Sequence, residues 1–192
     1  MARRNEFKPD RQRSDDLGKL LLTKKQSRSL LRWVLFGVVC MVGLLVQDVA
    51  LYRLSYRDVC AEIMPCLIMM VAIMQGAESG CVFALVMSCV YYLSGSSPGA
   101  VVIPMITLPA TLVAIFRQGS LRQGFVSILL CAAVGMVIYE LSLFGFGLFL
   151  ERTITQRMDD MVLAALLSLF VVPVAYPLFL AIGKIGGETW KE

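Results

Sequence analysis

Three carboxylates, Asp48, Glu62 and Glu140, stand inside or at the edges of long apolar runs, where an acid is costly and therefore informative. A charge at the centre of a membrane-crossing helix costs roughly 2.5 to 3.5 kcal/mol on insertion scales, so Glu140 needs protonation, a partner or water. No Lys or Arg lies within an apolar run to supply that partner. The candidates are Tyr139 and Ser142 nearby, or Arg53 and Arg57 if the loop that carries them dips inward. Two readings follow. Glu140 holds a cation or proton, or meets another membrane protein; or it is a hydrogen-bonded glutamic acid that locks helix packing. Acid pairs roughly 5 to 10 Å apart also serve glycoside chemistry, but spacing along the chain specifies no such geometry here.

Other chemistries find less support. The chain has no histidine, which removes the usual general base and metal ligand. Gly183-Lys184 lacks the upstream glycine of a phosphate-binding loop. Cys66, Met70 and Met74 have the spacing of a soft-metal path, yet methionine and free cysteine more often fill apolar cores. The six cysteines all lie in or beside apolar runs, so neither disulfides nor metal clusters are expected. No catalytic residue, metal, cofactor or nucleic-acid partner is expected.

The elements that must position these acids are membrane helices. The chain is 192 residues long, 58% hydrophobic and 17% charged, and its mean hydropathy is +0.74. That is too apolar for a soluble domain of this size. A hydrocarbon core about 30 Å thick takes roughly 20 apolar residues per helix. Six spans are predicted: about 33–50, 62–76, 80–93, 100–116, 125–150 and 161–183. The uncharged run from Ser79 to Phe116 is too long for one crossing and must turn at Ser94-Gly95-Ser96-Ser97-Pro98-Gly99. Pro65 falls in the first turn of its helix, where proline is tolerated. Pro104 and Pro109 should bend the fourth span, and Pro173 and Pro177 the sixth. Gly76 and Gly80 read as a turn or helix-packing pair.

The expected organisation is a basic cytoplasmic tail (1–32), a six-helix all-α membrane domain (33–183) and a short cytoplasmic carboxyl-terminal tail (184–192). The first tail carries ten Lys/Arg against four Asp/Glu. It could lie on anionic headgroups, dock a partner, or only set topology. It is too long, and the exit of the first span too poor in small residues, for a cleaved signal peptide. With both termini inside, 14 Lys/Arg fall on the cytoplasmic side and four outside, as the positive-inside rule requires.

Between about Gln47 and Lys184 the chain resembles the rod shape-determining protein MreD family. The resemblance lies in Pro65-Cys66-Leu67-Ile68, Gln75-Gly76, Gly80-Cys81-Val82-Phe83 and Tyr92-Leu93-Ser94-Gly95 followed by Pro98-Gly99. It continues in Tyr139-Glu140-Leu141 and in Val172-Pro173-Val174-Ala175-Tyr176-Pro177-Leu178. It implies a multi-pass bacterial inner-membrane protein without catalytic activity, serving peptidoglycan synthesis during lateral wall elongation. Its implied partners are MreC, MreB, the glycosyltransferase RodA, a class B penicillin-binding protein, and membrane lipid. The implied fold is similar to the six-helix substrate-binding subunits of energy-coupling-factor transporters. That analogy supplies an alternative, a small-molecule-binding transporter subunit, against which the first span lacks the Ala-xxx-Ala docking pattern. Asp48, Glu62, Tyr139, Glu140 and Tyr176 are the candidate partner or ligand contacts.

Overall fold

The computed structural model describes residues 24–51, 62–120, 124–151 and 158–185, and every element among them is helical. Helix α1 (Lys24–Val46) ends in a π-helical turn, Gln47–Leu51. Then come α2 (Ile63–Gln75), α3 (Ala77–Leu93), α4 (Val102–Ser120), α5 (Phe125–Phe149), α6 (Met158–Leu169) and α7 (Val171–Ile185). Four stretches are long and apolar enough to cross a membrane: Ser27–Val49, Val102–Gly119, Phe125–Phe149 and Met158–Lys184. The other two apolar helices, α2 and α3, have 13 and 17 residues, which is about 20 and 26 Å of rise.

The short α2 is the axle of the bundle. All twelve residues from Ile63 to Met74 are buried, and every other helix packs against it. In a membrane bundle an all-apolar helix is at home in the core or against lipid; the central place of α2 suits its shortness, since the surrounding helices can reach its end groups. The outer helices show the complementary pattern. On α1 the stripe Phe36, Cys40 and Leu44, four residues apart, turns inward, while Leu31, Val34, Val38, Val42 and Leu45 face outward. Met69 fills the space beside Gly135 of α5, where a β-carbon would stand 2.9 Å from its sulfur. Cys66, Met70 and Met74 are core residues at 0 to 3% exposure.

Gly76 alone connects α2 to α3. Its φ of +93° is a backbone conformation that L side chains rarely adopt, and its N–H still reaches the Ala72 carbonyl at 3.0 Å. One turn later Gly80 lies against the α2 backbone, where a β-carbon would come within 2.7 Å of the Ala72 Cα and carbonyl oxygen. The two glycines are therefore a turn and a packing contact together. The polar segment after Leu93 also turns as expected, with Gly95 at φ +79° and Gly99 at +137°.

Pro104 falls in the first turn of α4, and the helix runs unbroken through Pro109. Two boundaries differ from the sequence expectation. The first helix begins at Lys24, inside the basic segment, and not at Trp33. The sixth span is divided at Phe170, upstream of both of its prolines. Pro173 has no N–H to give the Leu169 carbonyl, and its ring crowds that oxygen, which favours ending α6 there. Phe170 closes the end with a bond to the Leu167 carbonyl at 3.2 Å, and Pro173 starts the first turn of α7.

Candidate functional site

The amino terminus of α2 lies inside the bundle, and this creates a demand. The first N–H groups of any helix have no partner within it, and a buried one left unpaired is costly. The demand is met from distant parts of the chain. The Glu62 N–H donates to Ser168 Oγ on α6 at 2.9 Å. The Met64 N–H donates to Gln47 Oε1, from the π-helical turn, at 2.9 Å. Pro65 removes a third donor altogether. Gln47 then donates through Nε2 to the hydroxyl of Tyr91 at 3.3 Å, tying α1, α2 and α3 together.

Glu62 does not cap its own helix. Its carboxylate accepts a 2.5 Å hydrogen bond from the Tyr139 hydroxyl of α5, and Tyr139 is fully buried. A helix amino terminus favours negative charge at this position. Glu140, next to Tyr139, is 7% exposed. Its Oε1 is buried with no hydrogen-bond partner among the described residues. Glu62, Tyr91, Tyr139 and Glu140 all lie within electrostatic range of one another.

Four of the five candidate residues thus gather at one end of α2. Asp48 belongs to the margin of the group: it is exposed, and accepts a hydrogen bond from Ser96 in the α3–α4 turn at 2.8 Å. Tyr176 does not join them. It stands at the opposite end with its ring edge-on to Phe125, centroids 4.9 Å apart. The partners expected for Glu140 are also corrected, because Tyr139 bonds Glu62 and the Ser142 hydroxyl returns to the Ile138 carbonyl at 2.6 Å. Arg53 and Arg57 lie outside the described residues.

Gln47, Tyr91, Ser168 and Arg117 complete the arrangement and were not singled out from sequence. Gln47 left the clearest signal, a lone amide closing a long apolar run. The buried Arg117 guanidinium of α4 donates to the Ile73 carbonyl at the carboxyl end of α2. The axle helix therefore carries an acid at its positive end and a base at its negative end.

Among the described residues, no three His, Cys, Asp or Glu side chains come together as a metal site. A cavity of about 510 Å³ opens between α4 and α5, lined by Leu112, Val113, Phe116, Leu130, Cys131, Val134 and Ile138. It offers an apolar solute a place and a polar one almost nothing to bond. Comparison with protein-family models, curated proteins and solved structures finds no match to this chain.

Proposed function

We propose that this chain is a non-catalytic membrane scaffold of the bacterial cell-wall elongation machinery, of the MreD kind. In this reading it crosses the inner membrane six times with both termini in the cytoplasm, α6 and α7 together making the last crossing. It holds MreC and the peptidoglycan synthases, RodA and a class B penicillin-binding protein, in register with MreB. The observation that supports this best is where the motif residues of the resemblance stand. Pro65 and Ile68 are on the axle, Gly76 makes its turn, Gly80 packs on Ala72, and Tyr139 closes on Glu62. Part of the resemblance thus falls on positions on which this particular bundle depends.

The alternative is a small-molecule-binding transporter subunit, for which the α4–α5 cavity would offer a place only to an apolar solute. Affinity purification in mild detergent separates the two readings. Wall-elongation proteins should co-elute with the tagged chain. Co-elution of a paired ATPase with a bound small molecule, and no elongation protein, would overturn the scaffold.

A further inference from the structure

The carboxyls of Glu62 and Glu140 share a low-dielectric setting at the amino terminus of α2, and their surroundings are unevenly supplied with hydrogen bonds. Glu62 receives the Tyr139 hydroxyl. Glu140 is more than nine-tenths buried, and its Oε1 receives nothing from a described residue. The groups that approach from each neighbouring element are Gln47 and the exposed Asp48 from α1, Glu62 from α2, Tyr91 from α3, Tyr139 from α5 and Ser168 from α6. None of these brings a positive charge. The described basic residues, Lys24, Lys25, Arg28, Arg32, Arg117 and Lys184, stand at the other end of their helices. Arg32 is 15 residues from Gln47, about 22 Å along the helix.

Two negative carboxylates in such a place are not self-sufficient. The α2 terminus offsets roughly half a unit of charge, which leaves more than one unit uncompensated by the described residues where water is scarce. Depth makes this sharper. Glu140 is nine residues from the carboxyl end of α5, about 13 Å, and fifteen from its start, about 22 Å. We propose that Glu62 and Glu140 form a membrane-embedded site for one exchangeable monovalent cation, a proton or an alkali ion, with Glu140 as the group that takes it up and Tyr139 holding Glu62 in place. The proposal is independent of the scaffold reading, since it concerns charge balance within the chain alone.

Dicyclohexylcarbodiimide, which modifies protonated carboxyls in apolar surroundings, tests it on the full chain in detergent or nanodiscs. The modified residue is located by peptide mass spectrometry. Glu140 should be labelled, and labelling should fall as pH rises in sodium-free buffer. If the ion is an alkali cation, sodium at constant pH should protect it several-fold; if it is a proton, sodium should have no effect. Glu62→Gln should change the pH or sodium dependence of labelling at Glu140, while Tyr139→Phe should leave Glu140 reactive. Three results would overturn the proposal: no labelling of Glu140 at any pH, labelling indifferent to both pH and sodium, or labelling that appears only in Arg53→Gln or Arg57→Gln. The last would mean that the chain supplies its own counter-charge.

Discussion

The tight crossing of α2 and α3 allows a quantitative test of the packing, using one substitution made at two glycines. A β-carbon at Gly80 would stand 2.7 Å from the Ala72 Cα and carbonyl oxygen, and backbone cannot swing aside as a side-chain tip can. Overpacking of this kind costs about 1 to 3 kcal/mol. Alanine returns about 1 kcal/mol of helix propensity, so Gly80→Ala should lose roughly 0 to 2 kcal/mol net. A β-carbon at Gly37, in α1, would meet nothing within 4 Å, so Gly37→Ala should be neutral or gain up to about 1 kcal/mol. The two variants should therefore differ by about 2 kcal/mol. Unfolding by SDS in mixed micelles measures this in a Trp190→Phe background, with Trp33 as the fluorophore, since its ring packs against Phe83 of α3 at 5.7 Å. Equal unfolding free energies for the two variants would refute the close crossing at Gly80.

Tyr139→Phe removes a hydrogen bond to a carboxylate and should cost about 1.5 to 3 kcal/mol, whereas Ser96→Ala, at an exposed contact with Asp48, should stay within about 0.5 kcal/mol of wild type; the same SDS titration reads both. Arg117→Gln takes a buried cation from the carboxyl end of α2 and should destabilise by about 1 to 3 kcal/mol, visible as accelerated amide exchange at the α2–α3 junction, and unchanged exchange there would argue against the contact with Ile73. For the six-crossing reading, reporter fusions after Lys184 should be cytoplasmic and those between Arg152 and Asp159 external, and the reverse at either position would remove it.

Sequence showed the elements more clearly than their partners. Span limits followed from run length and turn chemistry, so the ends of α2 at Gln75 and of α3 at Leu93 were readable within a residue or two. The break at Phe170 was harder. Proline at position 173 acts on the carbonyl four residues earlier, so the damage appears upstream of its cause. The acids were legible as costly residues, because an apolar run makes any charge conspicuous. Their bonding was not. Tyr139 and Glu140 are adjacent in sequence, but neighbours on a helix point in different directions, and the tyrosine closes on Glu62, 77 positions away. Ser168 was invisible for the same reason, since a serine in an apolar helix becomes notable only when another helix terminus, 106 residues distant, is found beside it.

The brevity of α2 bears on how the chain is made. About 20 Å of helix is shorter than a 30 Å hydrocarbon layer, and its ends depend on Gln47, Ser168 and Arg117, two of which are synthesised after it. While the ribosome is still at α3, the axle has neither its later cap nor its cation. The single-residue turn at Gly76 offers a partial remedy: α2 and α3 can enter the bilayer as one hairpin whose junction is bonded within itself, Gly76 N–H to the Ala72 carbonyl and Gly80 N–H to the Gly76 carbonyl. Maturation then consists of closing α4, α5 and α6 around a helix already in place, so the most deeply buried element is among the first to be inserted and the last to be completed.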